Sequence, residues 1–297
     1  MRLQEIAPLG QISVVRDAAF QTVGLLSDPQ PQMLTFVEEE RYVSRARRIP
    51  GVVCITNPRL APHLDGVAGL AVAADPRRAL FDYHNYLARH TDFYWTDFPT
   101  AIDGSARVHA RAYVAEKNVR IGANTVIEPN ATILERCVIG SGVRIRAGTV
   151  LGSVGLQAFR FGDAVVDMIH AGGVRIGDGV EIFANAVVAS AIFRQFTTIG
   201  AECRIGNLAF ISHNAELGPR CFVGHGAVIN GFVKIGANAR IGPGSTLTHC
   251  IHIGEAAHVS LGSVVIGDVA PGQHVTGNVA VEHYRFMRHA ASVARPG

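Results

Sequence analysis

The chain has 297 residues, 48% of them hydrophobic and 17% charged, with a formal net charge of +3. That length accommodates one large domain or two moderate ones, and the apolar content excludes general disorder. The weak net charge lacks the basic stripe of a nucleic-acid binder, no apolar run approaches the roughly 18 to 20 residues of a transmembrane segment, and the first residues carry no signal-peptide pattern, so a cytoplasmic location is expected.

Residues 1–100 hold eight of the thirteen prolines and the single tryptophan, Trp95. A strand-like stretch, Gly51 to Thr56, alternates with expected helices over 37–48 and 75–89, which predicts a small α/β domain. From about Ala101–Ile102 the composition changes. Aliphatic residues recur every six positions at Ile121, Ile127, Ile133, Ile139, Ile145 and Leu151, then at Ile176, Ile182 and Val188. The longest run is Ile199, Ile205, Ile211, Leu217, Val223, Ile229, Ile235, Ile241, Leu247, Ile253, Val259 and Val265. A glycine commonly follows, as in Ile235-Gly236.

Six residues make one short strand and a turn, and three such units close a triangular coil. The aliphatic side chain points inward, and successive coils pair as parallel strands that satisfy each other's backbone groups. The spacing excludes amphipathic helices, which need a period of 3.6. The expected fold is therefore mostly β: a left-handed parallel β-helix of hexapeptide repeats over 101–276, preceded by the α/β domain over 1–100. Residues 155–173, with Phe159, Phe161 and His170, break the register and are expected to leave the coil as a loop, functional or merely a surface insertion. Over 277–297, Tyr284, Met287, Arg288 and Ala291 fall at helical spacing, predicting a short tail helix that caps the last coil.

Five cysteines lie at 54, 137, 203, 221 and 250 with no C-x-x-C pair, which argues against a disulfide scaffold and a cysteine zinc site. Cys203 and Cys221, one coil apart, are expected to stack as buried thiols. His213, Gly231 and His249 are spaced by 18 and so share one column, where Gly231 between two histidines is expected to leave a notch for a ligand to approach the backbone.

The order of these parts resembles the UDP-3-O-acylglucosamine N-acyltransferase family. Thr35-Phe36-Val37-Glu38-Glu39-Glu40-Arg41-Tyr42 is similar to the family's segment in which a Phe and a Tyr six apart hold a uracil ring. Ile205 to Asn214 resembles its catalytic coil with a His-Asn pair, Ala227-Val228-Ile229-Asn230-Gly231 the next coil, and Gly277 to His283 the exit from the solenoid. The resemblance implies His213 as general base and Phe36, Tyr42 and Asn214 as substrate-binding residues; His249, in the column of His213, is expected to bind substrate with them. It implies a homotrimer with sites between neighbouring subunits, no bound cofactor and no metal. Three positions depart from the family pattern: its Asp is Ala189, its second active-site His is Cys250, and its Asn between the aromatics is Glu39.

The expected activity is thus transfer of an acyl group from a thioester, carried by acyl carrier protein or coenzyme A, to the amine of a nucleotide-linked amino sugar in lipid A or envelope polysaccharide synthesis. A neutral histidine suits that chemistry because the amine must lose a proton as it attacks. An amide donor near Asn230 and Gly231 would receive the oxyanion. Arg285, Arg288 and Arg295 either face an acidic carrier or form a solvated helix face. Two other readings stay open: a non-catalytic sugar-nucleotide-binding or scaffold paralogue, and a carbonic-anhydrase-like zinc enzyme with histidines meeting across subunits.

Overall fold

The computed structural model describes residues 1–9, 12–277, 282–285 and 288. The first unit is a five-stranded sheet in the order β1 (Ser13–Arg16), β5 (Gly69–Val72), β4 (Val53–Thr56), β3 (Met33–Val37), β2 (Thr22–Val23). Only β1 runs antiparallel to its neighbour. Three helices accompany it: α1 (Leu3–Ile6), α2 (Val43–Arg47) and α3 (Pro76–His90). Helix α3 starts as its sequence dictates, with the Asp75 carboxylate accepting from the Arg78 amide and Pro76 in the first turn.

The helix expected over 37–48 is smaller than the sequence suggests. Its first residue ends β3, and only Glu40–Arg47 is helical, the first three residues as a 3-10 turn. Met33–Val37 is a short, almost continuously buried run, and such a run has no period by which to distinguish a strand from a helix.

The solenoid opens with the strand Ala101–Ile102 and stacks three parallel sheets of nine, eight and eight strands. All twelve aliphatic residues of the long run are buried and belong to one continuous core. Cys203 and Cys221 are free thiols within it, and the Cys221 amide donates to Cys203 Sγ at 3.3 Å. The register follows the repeat of three hexapeptides, with Ile127 opposite Ile145 and Ile205 opposite Val223, each 18 apart. Between these, Ile145 faces Ile182, 37 apart, and Ile182 faces Ile205, 23 apart.

Two excursions account for the longer steps. The first, between Leu151 and Gly173, contains an antiparallel hairpin of Ala158–Phe161 and Ala164–Asp167. The second, between Val188 and Ile199, adds five residues around Ala191–Arg194 and was not foreseen from the sequence. The two cross each other: the Ala171 and Gly172 amides donate to the carbonyls of Ile192 and Ala191 at 2.8 and 2.9 Å.

The excursions carry the contact with the first unit. Met168, Ala171, Ile192, Phe193 and Phe232 join Phe20, Leu34, Ile55, Leu80 and Phe81 in a single apolar core. Phe81 packs on Phe159 with ring centroids 4.6 Å apart. Asp28, almost fully buried, ties the two units by accepting from Lys234 Nζ at 3.0 Å and Gln195 Nε2 at 2.9 Å. The expected tail helix lies mostly outside the described residues, as does the exit segment between Gly277 and Glu282; of the tail, 283–285 and 288 are helical. No helix among the described residues is long and apolar enough to cross a membrane.

Candidate active site

A cleft of about 540 Å³ opens where the sheet domain, the hairpin and the solenoid meet. The first unit contributes Phe36, Tyr42 and Arg77, the hairpin Leu156, Gln157 and Phe159, and the solenoid Ser212, His213, Asn230, Gly231, His249 and Cys250. A second cavity of about 250 Å³ shares Phe36, Tyr42 and Arg77 with it and extends to Glu38, Glu39 and Arg45. Residues more than two hundred apart in sequence, Phe36 and Cys250 among them, thus line one surface within a single chain. Each side chain is delivered by a different device: Phe36 by β3, Tyr42 by the turn before α2, Arg77 by the first turn of α3, and the histidines by the corner column of the coils.

His213 is deeply enclosed, only 6% exposed, as is Ser212 beside it. Its ring packs edge-on against Phe232 at 5.3 Å and against His170 at 5.5 Å between centroids. Burial pushes its pKa down to about 4, and the neighbouring His170 and, more weakly, His249 act in the same direction, opposed by Asn214. The imidazole is therefore neutral at cellular pH, with a free lone pair.

The notch expected at Gly231 is occupied, and by His213 itself. A side chain at Gly231 would fall on that imidazole, within 2.7 Å of Nε2 and 2.8 Å of Nδ1. The missing Cβ therefore makes room for the ring rather than for a ligand. The Gly231 carbonyl accepts from the Cys250 amide at 3.0 Å, and its own amide has no hydrogen-bond partner among the described residues.

The other expected site residues divide. Asn230 lines the cleft and is fixed by its Nδ2 donating to the Leu247 carbonyl at 2.6 Å. His249 is exposed at the rim, beside a half-buried Cys250 whose thiol pKa is raised by burial. Asn214 does not reach the cleft. Its Oδ1 accepts from the Ile192 amide at 2.9 Å and its Nδ2 donates to Gln195 Oε1 at 2.7 Å. Both ends of the amide take part in folding the second excursion, and the side chain also raises the pKa of His213, so Asn214 supports the loop and the ring behind the cleft.

Phe36 and Tyr42 are both half-buried and face the shared space rather than the core interior. Phe36 stands edge-on to Phe81, and the Arg77 guanidinium lies 5.5 Å from its ring centroid. Arg77 also pairs with Glu38, yet its Nε is buried without a partner. Sequence reasoning missed Arg77, because an arginine in the first turn of a helix has no distinguishing spacing. It also passed over what His170 touches, although the register break at 155–173 had pointed to that loop. Among the described residues, no group of three or more His, Cys, Asp or Glu side chains could hold a metal ion.

Comparison with known proteins agrees with this architecture. Residues 118–153 and 196–231 match the family described as bacterial transferase hexapeptide (six repeats). A stretch of 123 residues is 35% identical to UDP-3-O-acylglucosamine N-acyltransferase of Anaeromyxobacter sp. (strain Fw109-5), covering 39% of this chain and 34% of that protein. Another, of 84 residues, is 40% identical to the protein of the same name from Caulobacter sp. (strain K31), covering 28% of this chain and 24% of that one. The chain thus spans about a third or less of the length of the curated relatives it matches. The likeness to UDP-3-O-acylglucosamine N-acyltransferases expected from the residues is borne out over those stretches. Among solved structures, the chain is similar to the UDP-N-acetylglucosamine acyltransferase of Francisella novicida, with a TM-score of 0.50 and 22% identity over 64% of this chain and 71% of that one. At that identity the likeness speaks for the fold alone.

Proposed function

We propose that this chain is an N-acyltransferase that moves an acyl group from a thioester to the amine of a nucleotide-linked amino sugar, in lipid A or envelope polysaccharide synthesis. The observation that carries the reading is the single cleft that unites a buried neutral imidazole, His213, with an aromatic and cationic subsite of Phe36, Tyr42 and Arg77. The names of the relatives support the same class of chemistry.

In this reading His213 Nε2 takes a proton from the sugar amine as its nitrogen attacks the thioester carbonyl. The tetrahedral intermediate collapses with cleavage of the C–S bond, and the proton passes from the imidazolium to the departing thiolate. A base in this position contributes on the order of 10² to 10⁴ in rate. The unpaired Gly231 amide serves as oxyanion donor. Phe36 and Tyr42 hold the nucleotide base, and Arg77, whose Nε lacks a partner, faces the diphosphate. An anionic ligand there would raise the pKa of His213 toward neutrality and strengthen it as a base. The donor thioester is carried by acyl carrier protein or coenzyme A.

Thermal-shift screening with UDP-, dTDP- and GDP-linked amino sugars tests the acceptor side. The expected result is stabilisation by one nucleotide series, lost in Phe36→Ala, because a ligand that binds only the folded state raises its stability. Equal melting temperatures with every nucleotide sugar would reject the proposal.

A further inference from the structure

The first excursion carries a histidine that the chemistry above leaves without a part. His170 is 7% exposed, and its Nδ1 lies 2.7 Å from the Ser190 carbonyl oxygen. A carbonyl only accepts, so Nδ1 carries the proton and Nε2 holds the lone pair. That Nε2 is buried and has no hydrogen-bond partner among the described residues. His213 shows the complementary deficit, since its Nδ1 is also buried and unpartnered. A neutral His213 that presents the Nε2 lone pair to the cleft must carry its proton on Nδ1. One orphan is then a donor and the other an acceptor.

The two rings lie against each other. They meet edge to face, centroids 5.5 Å apart and planes at 89°. A Cβ at Gly155 would lie 3.2 Å from His170 Cε1, 3.7 Å from His213 Cδ2 and 3.8 Å from the Ala189 methyl. Ser153, two residues before, is held through its carbonyl by the Ser190 amide at 2.9 Å, and its Oγ is a third buried atom without a partner. Buried polar atoms are seldom left unpaired, and a buried water makes about three hydrogen bonds to such groups.

We infer that His170 is the positioning residue of His213: its Nε2 receives the His213 Nδ1–H through one bound water, which fixes the tautomer that points the Nε2 lone pair at the substrate. The loop is built rigidly enough for that task. His84 Nε2 donates to the Ile169 carbonyl at 2.7 Å, while Asn85 takes the Ile169 amide at 3.0 Å and donates to the Asp167 carbonyl at 2.8 Å. Helix α3 of the first unit therefore sets the height of His170 above His213. Because the partner is a neutral imidazole and not a carboxylate, it orients the base without stabilising the imidazolium. The charged and titratable groups around the pair are His249 at the rim of the cleft, His84 and Tyr94 behind His170, and Arg136, whose Nη1 donates to the Ala171 carbonyl at 3.1 Å.

This inference rests on the proposed role of His213, so its test reads the imidazole directly. In full-length protein with isotopically labelled histidine, NMR should show His213 as a single Nδ1–H tautomer that titrates well below pH 6.5. His170→Ala should mix the tautomers and raise the His213 midpoint by about one unit. It should also lower kcat about tenfold or more with KM little changed, the acid limb of the rate profile following the NMR midpoint. His170→Gln, which keeps an acceptor, should restore part of the tautomer preference and of the rate; loss of the neighbouring imidazole raises the midpoint in any case, whereas a purely structural role would leave the tautomer unmoved. An unchanged His213 tautomer in folded His170→Ala and His170→Gln would overturn the inference. Absence of acyl transfer by the wild type, with the tautomer still responding to His170→Ala, would reject the proposed function and leave the pairing standing.

Discussion

The coils from Ile199 onward and the stretch from Leu151 to Ile199 are built from the same unit and do different work. In the later coils the step is 18 residues as far as Val265 and shortens to 16 only at the last coil, the core column is unbroken, and each coil needs only its two neighbours. In the earlier stretch the step lengthens to 37 and then 23, and the added residues leave the prism to pack against each other and against α3. The regular region supplies a stiff column that holds His213, Gly231 and His249 in line. The irregular region supplies what a solenoid alone cannot: a wall, a buried histidine beside His213 and a firm seat for a second unit. The cleft lies at their junction, where burial and side-chain variety meet.

That contrast predicts different consequences for substitutions in the two regions. The largest loss of stability is expected in the regular column, where Leu247→Ala should cost about 2 to 5 kcal/mol in denaturant unfolding because a fully buried side chain leaves a cavity. Acid should act on the junction instead. Burial lowers the pKa of both His84 and His213 to about 4, whereas their unfolded values lie near 6.5. Between these limits the unfolded state binds more protons, so stability is complete above pH 6.5 and falls as the pH drops toward 4. The loss is on the order of 3 kcal/mol for each histidine, readable as the pH dependence of the unfolding midpoint. A flat profile over that range would show that neither imidazole is buried in solution.

A smaller change should be felt in activity more than in folding. Gly231→Ala places a methyl on the His213 ring, and the displaced base should lose about 10²-fold in kcat/KM, the usual cost of an ångström of misplacement, with a loss of stability smaller than that of the core substitution. In stability Asn214→Ala also falls below the core substitution: it leaves the Ile192 amide and Gln195 Oε1 without their partner, at about 1 to 3 kcal/mol. Its sharper signature is faster hydrogen exchange confined to 190–195. Exchange that spread evenly over the coils would erase the distinction between the two regions.

The sequence made the regular region legible because one constraint, a compact side chain inside a narrow prism, recurs at every sixth position. The first long excursion showed as a gap in that pattern, but its partner was hidden. The affinity of Phe159 for Phe81, or of Ile169 for His84 and Asn85, is written in no local spacing. The second excursion, five residues long, was too short to stand out between Val188 and Ile199. At the site, His213 stood out by its column and by resemblance, whereas Arg77 and His170 acquire meaning only from what folds against them. Asn214 stood out as the neighbour of His213, but its position in sequence says nothing of which way its amide turns. Gly231 was legible as a required glycine, yet the group that requires it was visible only in three dimensions.

The account turns on His213 as the proton acceptor within this cleft, and the most direct measurement is acyl transfer by purified full-length protein with His213→Ala beside it. UDP-linked 3-O-acylglucosamine would be the acceptor, and acyl carrier protein and coenzyme A thioesters the donors. The account predicts turnover by the wild type and a loss on the order of 10² to 10⁴ in kcat for the variant, with nucleotide-sugar binding and melting temperature preserved. Turnover by His213→Ala at the wild-type rate would contradict it.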